Sequence, residues 1–173
     1  MIVNKKQNNI FDFDGTIVNL EVDWDGLKKE VNFIYNSISN KISNSLNEKI
    51  DYLKNKNVNI YQILSNYEQN NNIINYTIIH NIYEKIIHLD EFYIISNNLH
   101  STIERVITEI GLSNKCKKII GIDDVIFSKP NINGFEILKS SLIHQESLYV
   151  GDRESDNEFA FRCNMNFKFT NQI

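Results

Sequence analysis

Asp12 and Asp14 stand two residues apart at the end of the run Ile10-Phe11-Asp12-Phe13-Asp14-Gly15-Thr16-Ile17-Val18. In an extended strand, residues two apart share a face, so two carboxylates reach one side where the strand runs out. Close carboxylates repel, and the pairing is costly without a cation or a shared proton. Gly15 permits a sharp turn there, and Thr16 offers a hydroxyl to orient a carboxylate. Farther along, Ser96 closes Phe92-Tyr93-Ile94-Ile95, Lys129 sits in Ser128-Lys129-Pro130, and Asp152 and Asp156 follow Val150-Gly151. An all-oxygen carboxylate set without His or Cys favours a hard cation, Mg²⁺ above all where phosphate is also bound. The Ser96 hydroxyl, the main-chain amide after it and the Lys129 ammonium suit a phosphoryl group. No glycine-rich loop ending in Lys-Ser/Thr is present, which excludes a P-loop nucleotide site. His80, His88, His100 and His144 are scattered, and only His100, after the Ser96 loop, is placed to touch a substrate.

The elements that must hold these residues follow from hydrophobic periodicity. About residues 9–13 read as a short buried strand. From Asp25, placed as a cap, Leu27, Val31, Ile34 and Ile38 repeat at helical spacing. Ile42, Leu46, Ile50 and Leu53 predict a second helix, Ile60 to Tyr67 a third, and Ile74, Ile78, Ile82 and Ile86 a fourth. The Asn70-Asn71-Asn72 run between the last two reads as a loop. The pattern therefore predicts an all-helical insert over residues 25–88.

Phe92–Ile95 is a continuous apolar run, as expected of a parallel strand covered on both faces. Ser101-Thr102-Ile103-Glu104 reads as a capping box, and Gly111 as the stop of the helix behind it. Strand-like runs at 118–120 and 125–127 lead to Lys129. A helix through Phe135, Leu138 and Leu142, a strand at 147–150, a helix stopped near Asn164 and a strand through Phe167 and Phe169 complete the pattern. Strands alternating with helices predict an α/β fold, a Rossmann-like parallel sheet with helices on both faces. Each chemically interesting residue follows a strand, which is the edge where open α/β sheets bind ligands.

Bulk composition narrows the classes. The 173 residues carry a net charge of −4, and no basic cluster points to nucleic acid or an anionic membrane. The N-terminal Met1–Lys6 lacks the apolar core of a signal peptide, and no run is long enough to span a membrane. Cys116 and Cys163 form no ligand-spaced set and read as packing residues in a reduced setting, so a cytoplasmic location is expected.

Four segments together carry a resemblance: Phe11-Asp12-Phe13-Asp14-Gly15-Thr16, Ile94-Ile95-Ser96-Asn97, Ser128-Lys129-Pro130 and Val150-Gly151-Asp152-Arg153-Glu154-Ser155-Asp156. In this order they resemble the motifs of the haloacid dehalogenase-like (HAD) superfamily, in its phosphoglycolate-phosphatase-like branch. The resemblance implies a catalytic core from residues 1–19 and 90–173, with a small helical cap over 20–89. It implies Asp12 as nucleophile forming an aspartyl-phosphate and Asp14 as the acid that protonates the leaving oxygen and then activates water. Lys129 would offset charge as the transition state forms. Ser96, Asn97, Lys129, Gly15 and Thr16 would bind the substrate. Mg²⁺ would be held by Asp12, the Asp14 main-chain carbonyl and Asp152, with Asp156 nearby. Pro130 would aim Lys129 into the site, and Arg153 and Glu154 would orient their loop. Trp24 reads as packing within the cap.

The implied activity is Mg²⁺-dependent hydrolysis of a small phosphorylated metabolite by a monomer or homodimer. A phosphomutase of the β-phosphoglucomutase type shares the aspartyl-phosphate but needs a cap that retains a bisphosphate. A phosphate-binding module without catalysis is the non-enzymatic alternative. A dehalogenase is disfavoured because Asp14 is present, and that chemistry has no alkoxide to protonate.

Overall fold

The computed structural model describes residues 7–69 and 73–173; the N-terminal Met1–Lys6 and the Asn70–Asn72 run lie outside the described residues. The first half holds strands β1 (Asn8–Phe11) and β2 (Val18–Leu20), helices α1 (Trp24–Ile38), α2 (Leu46–Asn55) and α3 (Ile60–Glu68), strand β3 (Tyr76–Ile78) and helix α4 (His80–Ile86). The second half holds β4 (Phe92–Ile95), α5 (His100–Glu109), β5 (Cys116–Ile120), α6 (Asn133–Lys139), β6 (Ser147–Gly151), α7 (Glu154–Arg162) and β7 (Asn166–Phe169).

Five strands form one sheet in the order β5-β4-β1-β6-β7, and every neighbouring pair is parallel. This is the expected α/β fold, a Rossmann-like parallel sheet with helices on both faces. Strand alternation divides the core. Phe11, Phe92, Ile94, Leu148 and Val150 point to the face covered by α4 and α5. Ile10, Tyr93, Ile95 and Tyr149 point to the face covered by α6 and α7. Successive side chains on a strand take opposite faces, so an apolar run without alternation suits a sheet buried on both sides. Phe11 and Phe92 meet edge to face, with ring centroids 5.9 Å apart.

Helices α1, α2 and α3 form a third cluster, where Leu27, Val31, Ile50, Leu53, Ile60 and Leu64 pack with Leu99 and Ile122 from beyond the sheet edge. Helix α4 belongs elsewhere, because Ile82 and Ile86 are buried in the sheet's own core.

The stretch read as all-helical contains strand β3, paired antiparallel with β2. Tyr76-Thr77-Ile78 are aromatic and β-branched residues that suit a strand, and an unpaired β2 lies beside them to complete a ladder. The fourth helix therefore starts at His80, and Ile74 and Ile78 precede it. Asp23, not Asp25, caps α1, accepting from Gly26 N–H at 2.9 Å. Ile42 is 96% exposed and lies ahead of α2, whose cap is Ser45. The Ser101–Glu104 capping box does not form, since α5 begins at His100 behind Leu99.

Residues 125–127 form no strand. The main-chain donors of Ile126 and Phe127 turn to the Asn133 side chain, and Gly121 N–H turns to Asp124. With its donors taken locally, this segment cannot extend the sheet. Gly111 and Asn164 both take positive φ, 77° and 55°, where helices were expected to stop.

Candidate active site

The β1–β4 and β1–β6 pairings place the ends of three strands side by side, and the chain reverses its progress across the sheet at β1. Ligands of open α/β sheets bind at such a reversal. Asp12 leaves the end of β1, Ser96 the end of β4, and Asp152 the end of β6; Asp156 lies in the first turn of α7. Lys129 reaches the same point from the irregular segment between β5 and α6, not directly from a strand.

The Lys129 side chain is 6% exposed. Its ammonium donates to Asp12 Oδ1 and to Asp156 Oδ1, both at 2.8 Å, and to the Tyr149 hydroxyl. The hydroxyl passes its own hydrogen to the Ile95 carbonyl at 2.7 Å. The ammonium also lies 5.1 Å from the Tyr149 ring centroid and 5.9 Å from that of Phe159, an aromatic floor that favours a cation. Burial alone would lower the Lys129 ammonium, but Asp12 and Asp156 outweigh it and hold it above its ordinary value. Asp12 still rises to about 6, chiefly through burial, with Lys129 pulling it down and Asp156 pushing it up. Loss of hydration disfavours the carboxylate more than the shared ammonium favours it, and the upward shift follows.

Carboxylate oxygens of Asp12, Asp152 and Asp156 lie within 4.8 Å of one another. Asp152 is raised, first by burial, although Arg153 Nε lies 3.5 Å away. Its Oδ1 is buried with no hydrogen-bond partner among the described residues. Gly15, at φ 82°, makes room for it: a Cβ there would sit 2.5 Å from Asp152 Oδ2. With Asp12, Asp152 and Asp156 ionised, Lys129 offsets one of the three charges, and the surplus negative charge suits a cation.

The Asp14 carboxylate stands apart from this cluster. Its Oδ1 accepts from Leu20 N–H at 2.8 Å, and its Oδ2 lies 3.9 Å from Arg153 Nη2. Burial is the first cause of its raised pKa, with the Leu20 amide and the Arg153 guanidinium pulling it back down.

Of the expected substrate contacts, Asn97 and Ser96 have other partners here, and Thr16 is buried without one among the described residues. The Asn97 side chain clamps the Lys129 backbone, donating to its carbonyl at 3.1 Å and accepting from its N–H at 2.9 Å. The Ser96 hydroxyl donates to Asn98 Oδ1 at 2.9 Å. Thr16 is fully buried, its hydroxyl without a partner among the described residues. The Lys129–Pro130 peptide bond is cis. His100 pairs with Asp124 at 2.6 Å and does not line the site.

Above the cluster opens a cleft of about 280 Å³. Asp12, Asp14, Ser96 and Lys129 lie along it, while Trp24, Leu27, Ile50 and Leu64 from α1–α3 form an apolar wall, and Lys28 and Asn47 add polar groups. Sequence reasoning missed Tyr149, Asn98, Asn47, Asp51 and Glu68. Tyr149 alone carried a signal, a hydroxyl in the middle of a buried strand between Leu148 and Val150; the others read as ordinary polar positions.

No helix among the described residues is long and apolar enough to cross a membrane. The family model for haloacid dehalogenase-like hydrolases matches residues 9–169. A protein from Bacteroides fragilis, assigned as a haloacid dehalogenase-like hydrolase, superposes with a TM-score of 0.65 at 20% identity, covering 94% of this chain and 86% of its own. A predicted phosphoglycolate phosphatase from Haemophilus somnus gives 0.63 at 19% identity, covering 95% and 84%. YfnB from Bacillus subtilis, assigned as a HAD-hydrolase and solved bound to magnesium, gives 0.57 at 15% identity, covering 95% and 88%. No curated protein matches the sequence significantly. With the family model spanning nearly the whole chain and the fold agreeing, the chain belongs to the haloacid dehalogenase-like hydrolase family.

Proposed function

We propose that the chain is a Mg²⁺-dependent phosphatase that hydrolyses a small phosphomonoester through an aspartyl-phosphate on Asp12. The observation that carries this reading is the division of labour among the aspartates. Asp12 sits with Asp152, Asp156 and Lys129, while Asp14 is held apart by the Leu20 amide.

Asp12, at about 6, is largely ionised at neutral pH and can attack phosphorus. The bond from phosphorus to the ester oxygen breaks, and that oxygen takes the proton held by Asp14. Asp14, now a carboxylate, removes a proton from water as the water oxygen attacks the same phosphorus. The bond to Asp12 then breaks, and inorganic phosphate leaves. Lys129 and Ser96 hold the phosphoryl oxygens, the Ser96 hydroxyl turning to them from Asn98, and Lys129 offsets charge that develops there. Asp12, Asp152 and the Asp14 main-chain carbonyl would hold Mg²⁺, with Asp156 nearby; the orphaned Asp152 Oδ1 and the surplus negative charge fit such an ion. The ion would let an anionic nucleophile approach an anionic ester.

Helices α1–α3 act as the cap, their apolar wall excluding water and selecting the leaving group. A cleft of about 280 Å³ suits a metabolite of modest size, in line with the phosphoglycolate phosphatases assigned among the structural neighbours. The test is a panel of phosphate esters assayed with and without Mg²⁺ on wild type and Asp12→Asn. Phosphate release should require Mg²⁺ and vanish in the variant. Full activity in Asp12→Asn would remove Asp12 as nucleophile.

A further inference from the structure

The segment carrying Lys129 has no sheet ladder to hold it, yet its lysine must meet three partners at once. What holds it comes from α2. Asn47 Nδ2 donates to the Lys129 carbonyl at 3.1 Å. Asp51 Oδ2 accepts from both the N–H and the hydroxyl of Ser128, each at 3.0 Å. Lys54 pairs with Asp51 at 2.9 Å and reaches the carbonyls of Ile122 and Val125 at 3.4 and 3.3 Å. Positions 47, 51 and 54 fall at steps of four and three, which is one face of a helix. A polar stripe therefore lies along the irregular segment from Ile122 to Lys129. The Lys54 and Asp51 side chains are only 7% and 15% exposed, so these bonds are largely shielded from competing water.

We propose that Asp51, seconded by Asn47, is a positioning residue for Lys129: α2 sets where the ammonium stands relative to Asp12. Asn97 alone clamps the Lys129 backbone from the sheet side, and it fixes a single residue of a segment otherwise free of ladder bonds. Asp51 fixes the residue before it through two charge-assisted bonds. Helix α2 thus contributes to the rate of the chemical step in addition to walling the cleft. This rests on the proposed role of Lys129 at the phosphoryl group.

The experiment compares Asp51→Ala, Asp51→Asn, Asn47→Ala and Lys129→Ala, using p-nitrophenyl phosphate with Mg²⁺ well below each melting temperature. Misplacing a catalytic group by about 1 Å costs on the order of a hundredfold. Asp51→Ala should therefore lower kcat by between about tenfold and a hundredfold, with KM changed less than about threefold. Asp51→Asn keeps an acceptor oxygen for Ser128 and should recover most of the rate. Inorganic phosphate binding, read by calorimetry, supplies the coupling: Asp51→Ala should weaken it in wild type and add nothing in the Lys129→Ala background. Wild-type kcat in both Asp51→Ala and Asn47→Ala, or independent losses in the double variant, would overturn the inference. Full activity in Lys129→Ala would instead overturn the role of Lys129, and with it any role for Asp51 through that residue.

Discussion

Glu68, the last residue of α3, accepts the N–H of Leu99 at 3.1 Å and so caps a helix in another part of the chain. Leu99 has no polar side chain to cap α5 itself, and the Ser101–Glu104 box is not formed. The other Glu68 oxygen accepts from Asn98 Nδ2 at 3.2 Å. This carboxylate is 3% exposed, and burial pushes it from 4.5 up to about 7 against the hydrogen bonds from Thr102, Leu99 and Asn98. A carboxyl raised in the folded state stabilises the fold when protonated. Its contribution is complete below about 4.5 and is lost as pH rises through about 7. Wild type should lose on the order of 3 kcal/mol relative to Glu68→Gln across that window. Urea melts of both proteins from pH 4 to 8 check it, and a constant difference would refute it.

Lys129→Ala should leave Asp12 and Asp156 buried without their shared ammonium. Removing one partner of a buried ionic cluster costs about 3–5 kcal/mol of stability when the remaining charges persist. The carboxylates will take up a proton instead, so the acid limb of the pH–rate profile should move upward. If Lys129 offsets transition-state charge as proposed, phosphate release should fall at least about a hundredfold. An unshifted acid limb would show that Lys129 does not set the Asp12 ionisation.

Gly15→Ala meets two obstacles together. The position has φ 82°, which a side chain tolerates poorly, and the new Cβ would fall 2.5 Å from an Asp152 oxygen. The expected outcome is a lower melting temperature, with loss of about 1–2 kcal/mol, and activity lost well beyond that loss of folded protein. Circular dichroism melts alongside rate measurements separate the two effects.

Mg²⁺ should raise the melting temperature of the metal-free protein, because a ligand bound only by the folded state stabilises it with the logarithm of its excess over Kd. Asp152→Asn should abolish most of that rise while folding normally, since Asp152 Oδ1 has no protein partner to lose. Calcium and magnesium titrations followed by scanning fluorimetry give the comparison. An undiminished shift in Asp152→Asn would place the cation elsewhere.

The candidate site's carboxylates and Ser96 were legible because each lies in a short motif whose apolar flank predicts a buried strand. Asp12, Ser96 and Asp152 follow β1, β4 and β6 directly, and their convergence follows from the parallel sheet. Lys129 was legible by its neighbours but not by its support, since residues 125–127 have strand-like composition and their donors go to Asn133 instead. The groups that reach the site from the inserted helices were not legible at all. Asn47, Asp51 and Glu68 are polar residues on amphipathic helices, and nothing local distinguishes a solvated position from one facing a loop many residues away. The strand at 76–78 was hidden for a related reason: isoleucines at four-residue steps fit a helix, and only the partner at 18–20 decides otherwise.

The β2–β3 ribbon has an evolutionary consequence. Val18 pairs with Ile78 and Leu20 with Tyr76, so the chain departs toward α1–α3 and returns from them at adjacent points. Paired strands lie about 5 Å apart, and a loop whose ends meet can change length at small entropic cost. Everything between Leu20 and Tyr76 can therefore be exchanged, shortened or extended while the sheet and its acidic cluster stay in register. A lineage could acquire new substrates by splicing at this doorway, provided each replacement again offers the Lys129 segment something to hold.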